Sequence, residues 1–185
     1  MSKNHPAATQ IPEPPLSQFL FADTRLAIIW LLLRVYIGWQ WLLAGYEKAT
    51  SPLWTGAKAG IALQGFLMGA INKSTGQHPD VQEWYKMFIQ GFVLPHTVLF
   101  SYIVSYGEIL VGSALILGIF TGIAAFFGGF MNMNYLFAGT VSTNPLMFLI
   151  ELFLILAWRV AGWYGLDRFV LPLLGAPWKP GKLFH

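Results

Sequence analysis

Four apolar runs, at residues 26–45, 97–117, 119–139 and 145–163, leave this chain few ways to fold. Each is close to the roughly 20 residues that a helix needs to cross the hydrocarbon of a bilayer. Composition agrees, because only 10% of the residues are charged and 56% are hydrophobic. A soluble domain carries about 25% charged residues, so a surface this poor in charge is made for lipid. Fifteen Phe, eight Trp and seven Tyr point the same way. The expected fold class is therefore an all-α integral membrane protein, a four-transmembrane-helix bundle in a cell membrane with the lipid bilayer as its first partner. A soluble enzyme is excluded. The net charge of +3 is scattered, so no nucleic-acid partner is expected.

The chain has no cysteine, which removes thiol redox chemistry, disulfides and iron–sulfur ligation. Any redox role would run through a bound organic cofactor or a partner subunit. His5, His78, His96 and His185 are too far apart in sequence to form a metal motif, and no metal or haem is expected.

The polar, Pro-rich residues 1–24 read as a flexible tail, 25–170 as the membrane domain and 171–185 as a C-terminal tail. Short breaks after the second and third runs make antiparallel neighbours. The long loop, 46–96, is unusual. Val81, Trp84, Tyr85, Phe88, Ile89 and Phe92 recur at helical spacing, and Leu63, Phe66, Leu67, Ala70 and Ile71 form a weaker stripe. Both segments read as interfacial amphipathic helices, at the membrane surface or capping one mouth of the bundle. An even number of spans puts both termini on one side. Lys3, Arg25, Arg168, Lys179 and Lys182 favour the cytoplasm for that side.

Ionisable groups inside a span cost several kcal/mol and mark candidate functional sites. Here they are Arg34, Glu108, Glu151 and Arg159, with Asn132 beside them. Helical spacing puts Arg34, Gly38, Trp41, Gly45 and Lys48 on one stripe of the first span. Ser101, Ser105, Glu108 and Gly112 share a face of the second, and Thr121, Gly128, Asn132, Tyr135 and Gly139 a face of the third. Counting about 1.5 Å of rise per residue gives two polar tiers: Arg34 with Glu108, and Asn132 with Glu151. Such tiers either fix helix register or form an apolar, aromatic cavity with a few directed polar groups, as a quinone head group requires. In the second case Glu108 and Glu151 are the catalytic proton donors, and Arg34, Trp41, Lys48, Asn132 and Tyr135 bind substrate or quinone.

The stretch RVYIGWQWLLAGYEK, from Arg34 to Lys48, resembles the opening helix of the DoxX/DoxD family of small membrane proteins. YGEILVGSALILGIFTGIAAFFGG is similar to that family's second motif, and YLFAGTVSTNP followed by Glu151 to its DoxD-like branch. The resemblance runs over roughly residues 25–170. It implies a subunit of a thiosulfate:quinone oxidoreductase, with membrane quinone as the cofactor and a second oxidoreductase subunit as partner. It singles out Arg34, Gly38, Gly45, Lys48, Glu108 and Asn132. A homo-oligomer is compatible with the same reading. The alternatives are a non-enzymatic scaffold or small-molecule carrier in a redox complex, and a proton or ion pathway.

Overall fold

The computed structural model describes residues 12–175, which are helical and contain no strand. The principal helices are α1 (Pro15–Ala22), α2 (Ala27–Thr50), α3 (Ile61–Asn72), α4 (Glu83–Phe88), α5 (Thr97–Leu117), α6 (Thr121–Phe137), α7 (Asn144–Leu156), α8 (Trp158–Ala161) and α9 (Asp167–Leu173). Among the described residues, two helical stretches are long and apolar enough to cross a membrane, Thr24–Thr50 and Glu83–Leu117. Their outward faces are apolar: Leu32, Trp39, Ile103 and Leu110 are all more than half exposed. That is the reverse of a surface made for water.

Helices α2 and α5 pack with their backbones in contact, because glycine removes the side chains between them. A Cβ on Gly38 would lie 2.9 Å from the Gly112 carbonyl, and one on Gly45 would lie 2.7 Å from the Ile109 nitrogen. A Cβ on Gly112 would collide with the Leu42 backbone. Small-residue stripes of this kind let membrane helices approach closely. Around the seam, Ile37, Trp41, Leu115, Ala125, Leu154 and Val160 form the main core.

Residues 12–24 depart from the expected flexible tail, of which residues 1–11 lie outside the described part. Pro14 and Pro15 start α1 in the position where proline costs no helix bond. The Trp30 indole donates to the Leu20 carbonyl at 2.9 Å, and Phe21 packs on Trp30 and Phe153. At the following turn, hydrogen bonds from Arg25 hold the Asp23 carboxyl below its ordinary range. Of the expected C-terminal tail, residues 171–173 belong to α9, and 176–185 lie outside the described residues.

The expected interfacial helix near residues 81–93 is not a separate element. It joins α5 in one stretch, Glu83–Leu117, despite Pro95. A π turn at Ile89–Val93 and a 3-10 turn at Leu94–His96 change the bonding pattern at the proline without ending the helix. Of its apolar stripe, Val81, Tyr85 and Ile89 are buried, while Trp84, Phe88 and Phe92 remain exposed. The buried three meet Leu63, Leu67 and Ala70 of α3 and Ala138 after α6, forming a second core. The fourth apolar run is also interrupted: α7 stops at Leu156, and α8 begins after Ala157.

Candidate functional site

A cavity of about 420 Å³ lies between α2, α5 and α6, beneath Trp54 and α3 and beside the α6–α7 turn. Its aromatic walls are Trp41, Trp54, Phe66 and Tyr135. Trp41 and Tyr135 stack at 6.4 Å, and Phe66 meets Tyr135 edge-on at 5.9 Å. The helical stripe through Trp41 and Lys48 turns both side chains into this space, as the first-span spacing predicts.

Glu108 is fully buried at the cavity wall. The Lys48 ammonium donates to both its oxygens, at 3.0 and 2.7 Å, and the Tyr135 hydroxyl donates to Oε1 at 2.6 Å. Lys48 Nζ also lies 5.3 Å from the centre of the Trp54 ring, a cation–π contact. The charge is thus paired, hydrogen-bonded and walled by aromatic rings.

Glu151 stands in a second polar group behind Trp41. The Trp41 indole donates to Oε1 at 2.5 Å, and the Asn132 amide donates to Oε2 at 2.6 Å. Gly128 makes room for this bond: a Cβ there would sit 2.6 Å from Glu151 Oε1 and 3.0 Å from the indole nitrogen. The Asn132–Glu151 tier therefore exists as the depth count predicts, and Trp41 links it to the cavity. Glu151 and Asn132 do not themselves line that cavity.

The Arg34–Glu108 tier does not form. Arg34 donates to the Tyr164 carbonyl at 3.0 Å, with Gly118 and Gly165 against its guanidinium. Asp167 supplies nearby negative charge and accepts from the Phe120 and Thr121 amides, at 2.5 and 2.9 Å. The depth count fails because it sets the inner ends of the first two spans level. The glycine seam sets Gly38 against Gly112 and Gly45 against Ile109, so Arg34 faces the end of α5. Arg159, the fourth ionisable group of the spans, pairs with Glu13 at 2.7 Å.

Several lining residues carry little sequence signal. Gln40 and Glu47 lie on α2 beside its buried stripe rather than on it, and Trp54, Thr140, Thr143 and Asn144 enter through the loop and the α6–α7 turn, where no helical period ranks them. Asp167 is an ionisable residue in apolar surroundings, and the same cost argument applied past residue 163 would have found it.

Helical architecture, an apolar exterior and buried, paired charges on the long apolar helices together define a helical membrane protein. The chain belongs to the DoxX family, whose family model matches residues 29–140, more than half of it. That span contains Arg34, Trp41, Lys48, Glu108, Asn132 and Tyr135 and ends before Glu151. No curated protein and no solved structure matches the chain at a significant level.

Proposed function

We propose that the protein is a four-span, quinone-linked component of a membrane redox system, and that its cavity takes the head group of a membrane quinone. One observation carries the reading: a 420 Å³ cavity with aromatic walls surrounds a single hydrogen-bonded Lys48–Glu108–Tyr135 group. Binding sites for planar organic molecules are apolar spaces with a few well-placed polar groups. A quinone takes up two electrons and two protons when it becomes a quinol.

The side chains present fit that need. An ammonium has three protons, and Lys48 directs two of its N–H groups at Glu108, leaving one to donate to a carbonyl oxygen. The two protons would come from the Lys48 ammonium and from the Tyr135 hydroxyl, which lies 2.6 Å from Glu108 Oε1, with the ionised Glu108 as the acceptor that orients both donors. Trp41, Trp54 and Phe66 exclude water from the ring. Glu151 becomes a positioning residue in this reading, because it holds the Trp41 indole rather than facing the cavity.

Thiosulfate is a poor fit to the same space. The lining carries one cation, Lys48, against the carboxylates of Glu47 and Glu108, and a dianion would be repelled. The reading therefore assigns thiosulfate oxidation to the second oxidoreductase subunit: two thiosulfate ions yield one tetrathionate and two electrons there, which that subunit passes to the quinone. A second reading, a carrier or scaffold without turnover, is favoured by the absence of cysteine from the chain, which leaves no thiol pair to take up two electrons.

Protein purified in mild detergent is expected to release quinone into organic extract, identified by mass spectrometry. Glu108→Gln and Trp41→Ala should each release much less per mole of protein. Equal retention in all three proteins would remove the quinone from this cavity. Retention that follows the variants, without reduction by any supplied donor and partner, selects the carrier.

A further inference from the structure

The quinone reading leaves open how a ligand with a long hydrocarbon chain would sit, and the walls of the cavity differ in chemistry. Toward the loops its rim is polar: Glu47, Thr140, Ser142 and Thr143. Toward the gap between α2 and α7 it is formed by the apolar Leu43 and Ala44 on one helix and Met147 on the other, with Gln40 and Asn144 as the polar lining residues one turn away on each helix. Leu43 lines the cavity and is also 42% exposed, so the space reaches the outer surface of the bundle there.

The position of that opening matters. Leu43 is seven residues before Thr50, the last residue of α2, which puts it about 10 Å from the helix end. Below it, the Trp41–Glu151 hydrogen bond ties α2 to α7, and Ile37, Leu154 and Ala157 close the core. The gap is therefore sealed beneath Trp41 and open above it, with the exposed Trp39 and Tyr36 and the partly exposed Gln40 on the α2 turns below Leu43.

We infer that Leu43, Ala44 and Met147 form a lateral portal through which the hydrocarbon tail of a membrane quinone leaves the cavity for the lipid, while its head stays at Lys48, Glu108 and Tyr135. This rests on the quinone reading and extends it to a substrate class: long-tailed, membrane-dissolved quinones in preference to tailless ones. The apolar lip accommodates methylene groups, and the polar rim would have to lose water to do so.

Quenching of tryptophan fluorescence reports binding directly, since Trp41 and Trp54 line the cavity. A decyl-tailed quinone and its tailless parent are titrated into wild type, Leu43→Phe, Ala44→Phe and, on the polar rim, Ser142→Phe. The two flank variants should bind the tailed quinone about tenfold more weakly, or 1.4 kcal/mol, and the tailless one within about twofold of wild type. Retained tailless binding also shows that the variants are folded. Ser142→Phe, at the rim of the head-group cavity, should change both affinities by the same factor. If Ser142→Phe discriminates between the two quinones and the flank variants do not, the tail leaves through the loop rim and the portal is refuted. If the flank variants bind both quinones as wild type does, the portal is likewise refuted while the head-group site stands. Failure of wild type to bind either quinone overturns the head-group reading and the portal together.

Discussion

Glu108 is the buried charge with most at stake, because its compensation comes from a residue that reaches it across the α2–α5 seam. Lys48 supplies two of the three hydrogen bonds that Glu108 receives, and Tyr135 supplies the third. Lys48→Met would leave a carboxylate with one neutral donor, and breaking a buried pair from one side costs about 3–5 kcal/mol. Changing Glu108→Gln as well should recover more than half of that loss. Melting of the four proteins of this double-mutant cycle in one detergent tests the coupling; simple additivity would show that the pair contributes nothing. Arg34 should behave differently. Its guanidinium fills the space between Gly118 and Gly165, and two of its buried nitrogens, Nε and Nη1, have no hydrogen-bond partner among the described residues. Arg34→Ala is expected to lower stability by about 2–4 kcal/mol through lost packing and an unbalanced Asp167. Quinone binding at 25 °C should change by less than about twofold, since no part of Arg34 lines the cavity. A selective loss of binding with unchanged melting would return Arg34 to the site.

At the scale of helices, the glycine seam determines which side chains meet. Gly112→Leu would place a side chain where the Leu42 backbone now lies, and overpacking costs about 1–3 kcal/mol even where neighbours are side chains. Here the neighbour is backbone, so α2 must move, and Lys48 moves with it. The expected signs are a lower melting temperature and a weakened Lys48–Glu108 coupling in the double-mutant cycle. Gly107→Leu, where a Cβ meets nothing closer than the Met131 sulfur at 3.8 Å, should show neither. The same seam explains what could be read from sequence. Periodicity assigns buried faces well: Arg34, Gly38, Trp41 and Gly45 on α2 are all buried, as are Ser101, Ser105, Glu108 and Gly112 on α5. Lys48, Glu108 and Tyr135 were thus each identifiable as inward-facing. Their meeting was not, because periodicity carries no information on how far one helix is slid along another. Arg34 departs from the depth count for that reason, and its acceptor is the backbone carbonyl of Tyr164, which no side chain announces. Trp54 and Phe66 reach the cavity from a loop and a helix whose docking depends on the second core.

The whole molecule gathers its connections at two ends. At one, Glu13 meets Arg159, and Asp167 closes the α5–α6 turn through Phe120 and Thr121. At the other, Lys73 donates to the Gly139 carbonyl at 2.7 Å, and the Ser101 hydroxyl donates to the Trp54 carbonyl at 2.6 Å. The proposed four spans would place these two ends at opposite membrane surfaces, although α6 has 17 residues and α7 only 13. A 17-residue helix is about 25 Å long, somewhat short of the roughly 30 Å of hydrocarbon, and α7 approaches that length only by continuing into α8. The proposed topology puts the 46–96 loop and the α6–α7 turn outside, with both termini in the cytoplasm. A chain without cysteine lends itself to a direct test, since each introduced thiol is the only one present. Thr75→Cys and Ser142→Cys, both exposed, should react with an impermeant maleimide added to intact cells. Glu13→Cys and Leu174→Cys, exposed at the opposite end, should react only after permeabilisation. Exchange of the two pairs would invert the orientation and keep four spans. Labelling that separates Thr75→Cys from Ser142→Cys would show that α5 and α6 do not both cross, and the cavity between them and α2 would then lie outside the hydrocarbon that a tailed quinone occupies.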